Sequence, residues 1–220
     1  MLVGCDSAAL LGLDAILVQI EVDAKDSFKG SLVIVGLPDA AIKESKDRIL
    51  SAISHLGIKF EGLKGTINLA PADLKKVGTF YDLPIALSCL ASMGQFPPRS
   101  LASYLIAGEL GLGGEVRPIT GALSIALLAK KLGKKGVILP AANAKEAAVI
   151  NEIEVYGLAS LKEGAFFLAG KTPLSRAKVS KDWSFSPPKI DFADIKGQAN
   201  VTEVPPFFCS LFSKYLKMKH

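Results

Sequence analysis

A single mixed α/β domain followed by a tail is what this chain predicts, on three observations. Strand-like and helix-like runs alternate from residue 8 to residue 168, with Gly or Pro at nearly every junction. Half of the residues are apolar, enough for a sizeable core. After Gly170 the texture turns polar and Pro-containing, which places a domain boundary there. The expected organisation is a folded domain over 1–170, a linker over 171–198 and a poorly ordered, divergent tail over 199–220.

The elements follow in order. Ala8 to Leu13 and Ala15 to Asp23 read as strands around a Gly-Leu-Asp turn, with Val18, Ile20 and Val22 alternating against Gln19, Glu21 and Asp23. Ser31 to Val35 is a further strand after a Lys-Gly turn, and the group suggests a hairpin. Asp39 opens a helix from Ala40 to about His55, its apolar face set by Ile42, Ile49, Ala52, Ile53 and Leu56 and its end by Gly57. Thr66 to Leu69 is β-prone and stops at Pro71; a charged loop with Asp73, Lys75, Lys76 and Gly78 follows. Asp82, ahead of Leu83-Pro84, reads as the N-cap of a buried helix reaching Met93. Tyr104 to Leu110 and Glu115 to Ile119 read as a second hairpin across Gly113-Gly114. Then come a helix from Gly121 to Leu132, a strand from Gly136 to Leu139 and a helix from Asn143 to Ile150. Glu154 to Leu158 is the last strand, and Ser160 caps a helix to Leu168. The resulting order, ββαβαββαβαβα, is an α/β mixture and not a strict doubly wound pattern.

Composition excludes several classes of function. Cys5, Cys89 and Cys209 are odd in number, far apart and in no CxxC spacing, against a disulfide framework or a zinc site and in favour of a cytoplasmic protein. The N-terminus has no basic n-region, Asp6 and Asp14 interrupt its apolar run, and no stretch has the length of a membrane span. A formal charge of +5 and a pI near 9.0 permit a nucleic-acid partner without requiring one. His55 closes a helix and His220 is the last residue, so neither suits catalysis.

Three kinds of chemistry can be weighed. Phosphate binding would use the loop that runs into the Asp82 helix, but no G-x-x-x-x-G-K-[ST] occurs and Asp82 would repel an anion. Acid–base work would need Asp73, Asp82 and Glu109 to converge; a cap, a turn and a strand end account for them more simply. Nucleic-acid contact would use Lys64, Lys75 and Lys76, with Lys130, Lys131, Lys134 and Lys135. These are two clusters without interleaved aromatics, which suit phosphate contact or simply a solvated basic face.

The segments SAALLGLDA, VIVGLPDAAIKESKDRI, INLAPADLKKVGTFYDLPIAL, IAGELGLGGEVRPITGAL and GVILPAANAKEAA closely resemble the N-terminal domain of the magnesium-chelatase-like AAA+ ATPases, the YifB/ComM competence-protein family. The resemblance runs from Ser7 to Leu168 and returns in DFADIKGQ at Asp191 to Gln198. It implies a Lon protease-like domain of the ribosomal S5 domain 2-like fold. In full-length members an AAA+ module follows that uses ATP and magnesium, and the whole is an ATP-driven DNA branch-migration motor in natural transformation.

The segment RPITGALSIALLAKKLGKKGVILP also resembles the matching part of Lon peptidases. That similarity places the peptidase's lysine on Leu123 and its serine at or near Asp82, so neither dyad member is present. The chain leaves the family pattern at about Ala199 to Val201, before a Walker A loop, as a truncated or short form would. The expectation is therefore a non-catalytic domain with no catalytic, cofactor or metal residues of its own. Asp82 is expected as a structural cap and Lys75 and Lys76 as contacts to DNA or a partner. DNA binding would be weak and sequence-independent, and self-association or contact with an intact ATPase subunit would be the protein partnership; no membrane is involved. The alternatives are a Lon-like peptidase with a rearranged active site and an assembly domain.

Overall fold

The computed structural model describes residues 1–28, 30–58 and 60–179. Its first two strands, β1 (Leu2–Leu11) and β2 (Asp14–Asp26), form a hairpin in which Leu11 faces Asp14 across Gly12-Leu13. Gly12 takes the positive φ of 62° that so tight a turn demands. β1 begins six residues ahead of the expected strand, because Gly4, Asp6 and Ser7 hide the alternation that buries Val3 and Cys5.

The strand β3 (Leu32–Val35) corrects the expected pairing. It lies parallel to β4 (Leu63–Ala70), and β4 lies between it and β2, antiparallel to the latter. A helix, α1 (Ala40–Ser54), separates β3 from β4, and a strand followed by a crossover helix returns to a parallel neighbour. Asp39 caps α1 by accepting from the Ile42 N–H at 2.8 Å.

The buried helix α2 (Asp82–Ser92) follows, then a short α3 (Arg99–Ala102) that sequence periodicity is too brief to reveal. The expected strand over Tyr104 to Leu110 is two strands, β5 (Tyr104–Ile106) in the main sheet and β6 (Glu109–Leu110) in a ribbon with β7 (Val116–Arg117). Gly108 explains the break. Its N–H donates to the Phe80 carbonyl at 2.8 Å and its carbonyl accepts from Leu83 N–H at 2.9 Å, so the segment entering α2 captures its backbone.

The chain continues through α4 (Ala122–Lys131) and β8 (Gly136–Pro140) to a 3-10 turn at Ala141–Asn143 and α5 (Ala144–Ala147). The turn and α5 stand where one longer helix was expected. β9 (Glu154–Leu158) and α6 (Leu161–Leu168) match the expected bounds, and Ser160 caps α6 by accepting from Glu163 N–H.

The seven-stranded sheet has the order β3-β4-β2-β1-β5-β8-β9, with only the β1/β2 and β2/β4 pairs antiparallel. The α/β class is thus the expected one. Alternate strand residues split between two cores. Val3, Cys5, Ile20, Ile106 and Ile138 pack with α1, α2 and α6, while Ala8, Leu105, Val137 and Leu139 pack with α4 and α5. Cys5 and Cys89 are free and buried, and desolvation pushes both thiols up to about 12, which leaves them inert.

The segment expected as linker is laid along β9 as far as residue 179. Ala177 N–H donates to the Val155 carbonyl at 2.8 Å, and Leu174, Ala177 and Val179 pack against the two cores. The rest of that linker, the divergent tail, Cys209 and His220 lie outside the described residues.

Gly36 closes β3 at a φ of 96°, and a Cβ there would run into the Leu69 carbonyl. Gly57 has a φ of 74° and open space around it. Gly57→Ala should therefore cost only the left-handed backbone penalty, roughly 1 kcal/mol. Gly36→Ala should cost roughly 2–3 kcal/mol, because β3 must also move off β4. Urea denaturation of the two variants checks the ranking.

Candidate functional site

The loop over 71–80 and the start of α2 form the centre of the candidate site. Asp82 is wholly buried and is the first helical residue; Tyr81 holds the cap position, and no side chain caps the helix. This corrects the expected cap. Two of the first-turn N–H groups are already satisfied by backbone, Asp82 N–H on the Thr79 carbonyl and Leu83 N–H on Gly108, and Pro84 has none.

The Asp82 carboxylate turns instead toward α1. Arg48 donates to it through Nε at 2.7 Å and through a terminal nitrogen at 3.2 Å, Ser45 donates its hydroxyl, and Leu110 donates its N–H at 3.3 Å. Burial pushes the Asp82 carboxyl above its ordinary value, and the Arg48 guanidinium and Ser45 hydroxyl pull against it. The same hydrogen bond raises Arg48, whose side chain keeps 19% of its exposure. The result is an ion pair that joins α1, α2 and β6. Neither Arg48 nor Ser45 stands out in the sequence as a site residue; their three-residue spacing on one helix face is the signal that could have found them.

The loop itself is stitched to the β3–α1 junction. Asp39 accepts from Gly78 N–H at 3.1 Å with its second oxygen, and Asp39 N–H donates to the Lys76 carbonyl. Lys76 is buried, with its ammonium donating to the Pro71 carbonyl, and burial lowers it below the ordinary lysine value. The expectation that Lys76 contacts DNA or a partner is therefore corrected: it points inward to hold the turn. Lys75 is exposed.

Beside this loop lies a cleft of about 470 Å³ at the C-terminal ends of the parallel strands β1 and β5. In open α/β sheets that is where ligand sites collect. Leu10, Phe80 and Ile119 make its apolar surfaces, and Lys75, Thr79 and Glu109 its polar ones. Thr79 donates its hydroxyl to Glu109, and Arg117 stands 3.5 Å from that carboxylate. Asn143 fixes one wall by accepting from Ile119 N–H at 2.9 Å and donating to the Ile119 carbonyl at 2.8 Å. Asp73, Asp82 and Glu109 do not share a partner: Asp73 is exposed, Asp82 is tied to α1, and Glu109 faces the cleft.

Leu123 lies at the start of α4, and its N–H donates to Glu146 at 3.2 Å. α4 and α2 pack on opposite faces of the sheet, which puts a strand layer between Leu123 and Asp82. The second basic cluster is largely paired. Lys130 meets Glu152 at 2.6 Å, Lys134 meets Asp6 at 2.5 Å and Lys135 stands 3.7 Å from Glu154. Lys131 is exposed and has no carboxylate partner among the described residues. Also among the described residues, no group of His, Cys, Asp and Glu could hold a metal ion, and no helix is long and apolar enough to cross a membrane.

Residues 20–143, more than half of the chain, match the family model described as subunit ChlI of Mg-chelatase. The chain is 40% identical over 190 residues to the uncharacterised protein YifB of Escherichia coli, covering 86% of this chain and 37% of that protein. It is 36% identical over 196 residues to the competence protein ComM of Haemophilus influenzae, covering 87% and 38%. An uncharacterised protein of Mycobacterium tuberculosis is 37% identical over 193 residues, covering 88% and 38%. The chain thus spans little more than a third of the length of these relatives.

Arg48→Met should destabilise the domain more than Asp82→Asn, since it strands a wholly buried carboxylate while the reverse change frees an arginine that can reach water. The expected cost is roughly 3–5 kcal/mol against about half that. In Arg48→Met, only the Ser45 hydroxyl and the Leu110 N–H still oppose burial, so the folded pKa of Asp82 rises further above its ordinary value of 3.8. The folded state then binds the proton more tightly than the unfolded state. Stability should be greatest below that value and fall as pH rises through the window above it. Denaturant midpoints of both variants across an acid-to-neutral pH series measure the difference and its sign.

Proposed function

The chain belongs to the Mg-chelatase subunit ChlI family, and on that premise we propose that it is the non-catalytic N-terminal domain of a ComM/YifB-type, magnesium-chelatase-like ATPase. In this reading ATP and magnesium are handled by an AAA+ module, and this domain contributes a rigid surface. DNA branch migration in natural transformation is the activity of the whole motor; the relative named as a competence protein supports that assignment. The observation that carries the reading is the state of Asp82. At the position where a Lon-type nucleophile would stand is a wholly buried carboxylate spent on an arginine, a serine and a backbone N–H. Leu123, at the lysine position, offers no base.

DNA contact by this domain is weak in this proposal. Lys76 is turned inward and three lysines of the second cluster face carboxylates, which leaves Lys64, Lys75 and Lys131 as the members of the two clusters that are exposed and have no carboxylate partner among the described residues. A domain that neutralises about three phosphates through them should show a log–log salt slope of about −3 and no sequence preference. Filter binding of a labelled duplex between about 50 and 200 mM salt tests this, with Lys75→Ala and Lys131→Ala each reducing the slope by about one. Absence of retention at the lowest salt would remove DNA from the domain's partners. Cleavage of unfolded casein by the wild-type chain, lost in Asp82→Asn, would overturn the non-catalytic assignment in favour of a rearranged peptidase.

A further inference from the structure

The two edges of the seven-stranded sheet are treated differently. At the β9 edge the chain covers itself: residues 171–179 run alongside, Ala177 N–H bonds the Val155 carbonyl, and Arg176 pairs with Glu154. At the other edge β3 has β4 on one side and no strand on the other among the described residues. Ser31 accepts from Gly65 N–H, and the parallel register with β4 continues that pattern through Val33 and Val35. The N–H and C=O groups of Leu32 and Ile34 therefore point outward.

Sheet edges that must stay single usually carry a charge, a proline or a bulge. Between Gly30 and Leu37 there is no charged residue and no proline. The outward side chains are apolar too. Val33 is 49% exposed and Val35 41%, and Leu37 beyond them is 56% exposed. On a protein of formal charge +5, this strip carries no charge that would oppose the approach of a second copy.

We infer that the β3 edge pairs with the β3 edge of a second copy of this chain, antiparallel and about a two-fold axis. An isologous contact needs one patch that is complementary to itself. An axis at Ile34 meets that need: it sets Ile34 opposite its own mate, with the outward backbone groups of both facing each other, and Leu32 opposite Gly36. The same axis places Val33 of each copy against Val35 of the other on the open face of the sheet. An acidic or basic peptide would find no charge on this strip to select it, whereas a second β3 brings matching valines. A four-residue pairing is small beside a standard interface, so the dimer is a weak one that concentration controls.

Sedimentation equilibrium of the full chain over a wide concentration range is the test. The expected result is a concentration-dependent doubling of the 23.2 kDa mass, abolished in Val33→Lys/Val35→Lys with an unchanged melting temperature. A mass that stays at 23.2 kDa at every concentration overturns the inference, as does a dimer that survives the double lysine variant. Hydrogen exchange on the wild type gives a readout independent of the variant's folding. The Leu32 and Ile34 amides should slow as concentration rises; if they do not while the mass doubles, the contact lies elsewhere and the inference fails.

Discussion

A carboxylate with no access to water determines how this domain is put together. Asp82 enters the interior only because Arg48 and Ser45 of α1 and the Leu110 N–H of β6 meet it there. Desolvating an ion pair costs about as much as its attraction returns, so the pair is a poor source of net stability. Its effect is on geometry. α1 can sit on α2 in only one rotation that brings Ser45 and Arg48 to Asp82, and β6 must lie where its N–H completes the set. Apolar packing among Ile49, Ile53, Leu83 and Leu87 supplies the driving force but tolerates small rotations; the carboxylate does not.

The same cluster explains the shape of the neighbouring loop. Once α2 is fixed, Leu83 and Phe80 hold the backbone of Gly108, which ends β5 and turns Glu109 out of the main sheet toward Thr79 and Arg117. The cleft at the strand ends thus has a rigid floor and a carboxylate already neutralised by its neighbours. It has the position where ligand sites collect in open α/β sheets, and the hydroxyl and carboxylate that line it, Thr79 and Glu109, are bonded to each other. The acid at the mouth of α2 is thus employed in packing and does not line the cleft.

Local features of this fold could be read from sequence, and non-local ones could not. Asp39 and Ser160 were legible as caps because the cap, the first turn and the apolar face lie within a few residues of one another. β9 and α6 were legible for the same reason. The partner of β3 was not, since the strand it joins lies beyond a whole helix and the adjacent strand β2 offers an equally good alternation. Asp82 looked like a cap because Asp before Leu-Pro satisfies every local rule, and Arg48, which overrides them, is 34 residues away. Lys76 misled similarly. A Lys-Lys pair in a polar loop reads as surface, yet strand geometry turns neighbouring side chains to opposite sides, and one of the two faces the protein.

The inward turn of Lys76 also limits what the loop can do. An ammonium satisfied by a backbone carbonyl, with burial lowering its proton affinity, is tolerable only while the loop keeps its shape. Asp39 fastens the loop at Gly78 and Lys76, Asp82 fastens the helix that follows, and the Pro71 carbonyl holds the Lys76 ammonium from within the loop itself; the Tyr81 hydroxyl at the junction is buried without a partner among the described residues. Opening the cleft by moving this loop would break the Asp39 bonds to Gly78 and Lys76 together and draw the Lys76 side chain out of its buried position. The loop is therefore a fixed wall and not a lid, and any ligand the cleft accepts must fit it as it stands.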